Sequence, residues 1–294
     1  MIRSRTKHTT IGAGWNLKNR FILAFFHGLL VASIFYTAIE SHYESDLFAN
    51  IVSTIRSTPA PGQSEDAFLL EAMHATHQLL SDRQPFFNRP FTDFKTNVSY
   101  PVTFDLMTAN GACGSYARVL ARILQEAHIK VRIPEMVVNG KPGGHIIIEA
   151  LTKHGWVVLD AVYDLHFITP AGTMAGFSEI QNNWAYYKSQ VPANYNMDYR
   201  YEDVHYTNWN KIPVLLPMVK KISQWVLGEE RTSTLSLRTY FLQPYKVAFC
   251  GFLGVYIFIL LLVGYHRFSA RIKKRSAQSS LRDLPAIKVR KITA

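Results

Sequence analysis

Cysteine is nearly missing from this chain: 294 residues hold two, Cys113 and Cys250. Cys250 lies inside a long apolar run and reads as a small apolar filler. Cys113 is then alone in the polar part of the chain, with no disulfide partner. In an oxidising compartment a lone cysteine is either buried and inert or a working thiol. Gly-rich phosphate loops and dinucleotide fingerprints are also lacking, which removes the common nucleotide-binding classes. There is no internal repeat and no low-complexity tract. Acidic residues are missing from residues 1–20 and reduced to Asp283 in 266–294.

Those two acid-poor ends carry most of the charge. Residues 1–20 contribute five Lys/Arg, and residues 266–294 contribute nine against one acid, giving +5 and +8. The whole chain stands at +11, so residues 21–265 are at −2. The basic pI is therefore no sign of a nucleic-acid surface on the folded part. It is what positive-inside topology produces, because each basic tail abuts an apolar run. Residues 21–39 and 247–265 are those runs. Each has 19 residues, the length a helix needs to cross the hydrocarbon core, and neither has a polar stripe. The first reads as a retained span: it is longer than most signal-peptide cores, and the best cleavage candidate, Val31-Ala32-Ser33, lies within it. The organisation expected is a cytoplasmic tail (1–20), a span (21–39), an extracytoplasmic domain (40–246), a second span (247–265) and a cytoplasmic tail (266–294). The partners are membrane lipid and an envelope or extracellular protein, peptide or glycoconjugate; no cofactor or nucleic acid is expected.

Within 40–246, residues 40–58 have weak helical spacing and end in the breaker Thr58-Pro59-Ala60-Pro61-Gly62. Ser64 is placed to cap a helix over 65–81, with Phe68, Leu69, Met73, His77 and Leu80 near one face. Residues 82–104 read as loop with short extended pieces. A second helix is expected over 112–128, with Cys113 in its first turn and Ala117, Leu120, Leu124 and Ala127 on the same face. Its polar residues Arg118, Arg122, Gln125 and Glu126 are expected mostly to point elsewhere. Strands are expected over 131–139, 145–151 and 156–162, broken at Asn139-Gly140, Pro142-Gly143-Gly144 and His154-Gly155 and paired antiparallel in sequence order. Residues 145–151 alternate little, as in a strand covered on both faces. Ser178 to Lys188 suits a short helix. Residues 163–210 are rich in Tyr and Trp, suited either to core packing or to stacking on sugar rings. Residues 213–228 carry an apolar helical stripe, for the membrane surface or for the domain core.

Three residues could do chemistry together. Cys113 opens a helix, where unpaired N–H groups and the dipole favour a thiolate. His145 follows two glycines that permit close approach, and could take the thiol proton. Asp160 ends the next strand and could fix the imidazole tautomer. Asn110 is placed either as a side-chain donor to an oxyanion or as a helix cap. Tyr163, Asp164 and His166 follow Asp160 closely enough to line a cleft. Trp156 is expected to pack the hairpin. His74-x-x-His77 has helical spacing for a metal pair but no evident third ligand, so no metal site is expected. Asn97-Val98-Ser99 is a glycosylation sequon.

Several of these positions carry a resemblance. The Gly111, Cys113, Ala117 run, the helix end followed by Val131-Arg132-Ile133-Pro134, the His145 strand with Glu149 behind it, and Trp156-Val157-Val158-Leu159-Asp160 together resemble the transglutaminase-like superfamily, as a membrane-anchored, bacterial-type member. Ala161 stands where family members commonly have Pro, and Ile146-Ile147 where many have Ala-Trp. The resemblance covers about residues 64–167, leaving 168–246 as an aromatic-rich extension. It implies an α+β, papain/transglutaminase-like core: a Cys-bearing helix packed on an antiparallel sheet that carries His and Asp, here flanked by two transmembrane helices. It also implies a Cys113, His145, Asp160 triad working on amide or ester bonds through a thioester, by hydrolysis or acyl transfer. Family members without activity exist, so a non-catalytic envelope scaffold, linked to surface polysaccharide, is the competing expectation. A transport component is disfavoured by spans without intramembrane charge.

Overall fold

A computed structural model of the chain describes residues 12–57, 64–83, 86, 100–110, 112–209 and 215–282. The protein is a mixed α+β molecule with two helices long and apolar enough to cross a membrane. It divides into two compact units, Met1–Thr37 with Ala248–Ala294, and Ala38–Val247.

The first unit contains most of the apolar helical sequence. Helix α1 (Gly12–Ser57) carries one candidate span and the last helix, α9 (Pro244–Arg282), the other. Their apolar windows have mean hydropathy 2.0 and 2.6, with 6% and 0% of the residues buried. An apolar helix left uncovered by protein is what a bilayer accommodates and water does not. Within this unit Tyr256 Oη lies 3.4 Å from His27 Nε2.

The second unit holds the folded domain. The end of α1 belongs to its core: Phe48, Val52 and Ile55 are buried there, although the helical spacing of this segment is weak. Helix α2 (Glu65–Ser81) starts where its cap requires, the Ser64 hydroxyl accepting from Ala67 N–H at 3.2 Å. Helix α3 (Val102–Thr108) takes in the end of a stretch expected to be loop; most of the rest of that stretch, with the Asn97 sequon, lies outside the described residues. Helix α4 (Cys113–Glu126) is the central helix. Arg122 on α4 corrects the expectation that it points away. Its guanidinium is buried, paired with Glu126 at 2.6 Å and lying 4.9 Å from the Phe48 ring. An i,i+4 carboxylate and an aromatic face replace the water it gives up.

Two of the three expected strands are each split between two sheets. Val131–Arg132 (β1) and Glu135–Val138 (β2) are separated by Pro134, which has no N–H for a ladder. Lys141–Ile146 (β3) and Ile148–Thr152 (β4) are separated at Ile147, whose N–H donates to the Pro134 carbonyl at 3.2 Å. The chain thus changes sheets twice at one level. Gly155–Asp160 (β5) and Leu165–His166 (β6) complete a four-stranded antiparallel sheet, β1-β4-β5-β6. A three-stranded antiparallel sheet, β3-β2-β7, uses Asp203–His205 (β7). Pro142-Gly143-Gly144, expected as a break, lies inside β3. Gly143 has φ 98°, and a Cβ on Gly144 would stand 2.2 Å from Val138 Cγ2. The register shifts between Met136 and Val137 at this point.

The four-stranded sheet is covered on both faces, which explains the poor alternation of β4. One face, with Ile148, Ala150, Val157 and Leu159, packs on α1, α2 and α4. The other, with Ile147, Val158 and Leu165, packs on an aromatic layer of Phe167, Phe177, Tyr187, Tyr195 and Tyr201. That layer includes helices α5 (Phe177–Asn182) and α6 (Trp184–Tyr187), where one continuous helix was expected; they part at Asn183. The Tyr-rich stretch is thus largely core. Helix α7 (Leu215–Leu227) leaves Met218, Ile222, Trp225 and Val226 exposed on one face. Helix α8 (Glu229–Ser233) and a 3₁₀ turn over Leu237–Leu242 lead into α9.

Candidate active site

Cys113 is the first residue of α4. The chain reaches it through two residues with positive φ, Ala109 at 51° and Ala112 at 46°. Ala112 (ψ −129°), rather than Asn110, is the N-cap. A non-glycine residue in such a conformation costs on the order of 1–3 kcal/mol and persists only where its surroundings hold it. Here a buried network does so. Asp105 of α3 accepts from Ser115 Oγ at 2.6 Å and pairs with Arg118 at 2.8 Å, both on α4. Arg118 also lies 4.4 Å from the Tyr100 ring and donates to the Tyr100 carbonyl at 2.7 Å. Burial raises the Asp105 carboxyl above its usual range, and Arg118 opposes that shift.

His145 sits near the end of β3 and Asp160 ends β5, so the two come from different sheets. They meet because β3 passes directly into β4, which pairs with β5. His145 Nε2 lies 2.7 Å from Asp160 Oδ2. The second Asp160 oxygen accepts from Val162 N–H at 3.0 Å, which fixes the carboxylate. Asp160 is 0% and His145 1% exposed, whereas Cys113 is only partly buried. His145 and Asp160 thus form a buried imidazole–carboxylate pair, and Cys113 keeps part of its surface exposed.

Burial pulls the His145 imidazole down, but the Asp160 carboxylate more than reverses it. A side-chain hydrogen bond with Cys113 adds in the same direction, and the imidazole is pushed up to about 9. Tyr199 stacks on the imidazole, rings 4.4 Å apart and 7° from parallel, and Tyr163 lies 5.9 Å away. Tyr163 Oη accepts from Asn196 N–H at 3.3 Å, tying it to the segment that carries Tyr199.

The remaining candidates fall as follows. Asn110 is partly buried, and its N–H reaches Thr108 Oγ1 at 3.4 Å. Asp164, at φ 51°, lies 2.7 Å from His74 Nδ1 and pins α2 to the loop after β5. His166 pairs with Leu159 across β5 and β6, and so lies on the opposite sheet face from Asp160. Burial holds its imidazole below the ordinary value. His77 Nδ1 lies 3.0 Å from the Ala161 carbonyl. Among the described residues no group of three or more His, Cys, Asp or Glu is placed to hold a metal ion. Trp156 stacks on the Arg132 guanidinium at 3.9 Å, and Arg132 pairs with the buried Glu149 at 2.9 Å.

Sequence reading had no means of finding Tyr199 or the Asp105–Arg118 pair. Tyr199 is one of many tyrosines in its segment, and Asp105 lies between the expected loop (82–104) and the expected helix (112–128), where no element was expected. Both act through contacts distant in sequence. The chain matches no family model, no curated protein and no solved structure.

Proposed function

We propose that the protein is a membrane-anchored, transglutaminase-like cysteine enzyme. Cys113 is the nucleophile, His145 the base and Asp160 the orienting carboxylate. One observation carries this reading: the buried His145 imidazole has Asp160 Oδ2 2.7 Å from its Nε2, and Asp160 together with Cys113 pushes it up to about 9. Such a chain converts a weakly acidic thiol into a thiolate–imidazolium pair.

In the reaction, the Cys113 thiolate, its proton already held by His145, adds to an amide or ester carbonyl. The oxyanion forms near the start of α4, where the Cys113 N–H has no helical carbonyl to bond and the dipole favours negative charge. His145 then gives the proton to the leaving amine or alcohol, and a thioester remains on Cys113. Water or an amine, deprotonated by His145, attacks the thioester and frees the thiol. Hydrolysis and acyl transfer differ only in that second nucleophile. The spans would anchor the domain, and the basic tails support a topology with both termini in the cytoplasm and residues 40–246 on the far side, facing envelope or extracellular substrates.

The test is alkylation of Cys113 in the purified full chain, beside His145→Ala. Labelling should be faster in the native protein by at least about tenfold at neutral pH, since the imidazole supplies the thiolate. Equal, slow labelling of both would leave an anchored scaffold.

A further inference from the structure

A concave site lies at the other end of α4 from Cys113. The last turn of α4, the residues leading into β1 and the segment 231–240 enclose a pocket of about 550 Å³. Its walls include His128, Lys130, Arg132 and Arg231, together with Trp156 and Ser236, and no Asp or Glu lines it. Glu149 matches the Arg132 charge at 2.9 Å. Lys130 and Arg231 are exposed, and among the described residues neither forms an ion pair. The pocket therefore gathers two unmatched cations, a histidine and hydroxyl groups in a domain whose sequence is otherwise slightly acidic.

The position of that segment in the chain narrows the ligand. Its end, Tyr240, lines the pocket, is 63% exposed and stands four residues before Pro244, where the apolar stretch of α9 begins. Upstream, α7 exposes an apolar face ending in Trp225, 87% exposed, with Lys220 and Lys221 in the same helix. Exposed apolar and aromatic side chains with lysines, in sequence next to a span, suit a lipid–water boundary. Phosphate groups are the abundant anions there. We infer that the pocket framed by Lys130, Arg132 and Arg231 binds a phosphate group, supplied by an anionic phospholipid headgroup or by a free phosphate. The site involves neither Cys113 nor His145, so it stands or falls apart from the enzymatic reading.

The experiment uses the full chain in a neutral detergent and measures affinity by calorimetric titration. Inorganic phosphate is titrated against chloride at matched ionic strength, and phosphatidylglycerol against phosphatidylcholine in mixed micelles. Lys130→Gln/Arg231→Gln is compared with Lys141→Gln/Lys188→Gln, which removes two exposed charges elsewhere. The pocket variant should bind at least about tenfold more weakly, while the control stays within about twofold, since each lost charge-assisted hydrogen bond is a large fraction of one site's affinity. Binding of phosphatidylglycerol alone would assign the lipid headgroup, and equal binding of inorganic phosphate would assign the free anion. If neither anion binds, or if control and pocket variants weaken equally, general charge attraction explains the result and the inference is overturned. Should the double variant fail to fold, Lys130→Gln alone makes the same comparison.

Discussion

His145 and Asp160 belong to different β-sheets, yet their side chains meet at 2.7 Å in a buried setting. The contact depends on the sheet crossing at Ile147, which carries the chain from β3 to β4 within one residue. Anything that moves β3 relative to β5 therefore moves the imidazole against its carboxylate.

The pH dependence of stability has a definite sign. The His145 imidazole moves from its ordinary 6.5 up to about 9 on folding, burial opposing the shift and Asp160 driving it. Its contribution is fully present below 6.5, falls as pH rises from there through about 9, and is gone above. In Asp160→Asn, burial acts without the carboxylate, and the dependence should flatten or reverse. Chemical unfolding of both proteins across this range checks it; identical profiles would refute the coupling.

Tyr199 holds the imidazole by its face. Tyr199→Phe keeps the ring and should label at Cys113 like the native protein. Tyr199→Ala should slow labelling by up to about tenfold, because a stacked ring contributes on the order of 1 kcal/mol. Equal rates in all three would mean that Tyr199 only fills space.

Asp105 and Arg118 brace α3 against the start of α4. Arg118→Met leaves the buried Asp105 carboxylate without its cation and should destabilise by roughly 3–5 kcal/mol. Asp105→Leu/Arg118→Met removes both charges and should recover much of that loss. Thermal unfolding of the solubilised chain distinguishes the two. Labelling of Cys113 should slow in both, since the ordered approach through Ala112 depends on the network.

Gly144 lets β3 lie close to β2. In Gly144→Ala the new Cβ meets Val138 Cγ2 at 2.2 Å and the strands must separate. A loss of roughly 1–3 kcal/mol is expected, with a drop in Cys113 labelling because His145 is the next residue. Val138→Ala in the same chain should restore little of either, because the Val138 Cβ that it keeps also overlaps the new atom.

Periodicity and capping alone determined much of this protein. Ser64 marked the start of α2, the apolar face beginning at Cys113 marked α4, and two uncharged 19-residue runs marked the helices fit for a bilayer. These features follow from neighbours three or four residues apart and from length, which sequence records directly. It also singled out Cys113, His145 and Asp160, because their residue types and their places at element ends are local properties. Tertiary structure alone decided how β1, β2, β3 and β4 divide between two sheets, that Arg122 is buried against Phe48, and that Tyr199 covers His145. In each case the energy comes from groups far apart in the chain, and no local pattern encodes which of several tyrosines or arginines will be chosen. Distance and burial at His145 are outcomes of packing, and packing is settled only when the whole domain closes around it.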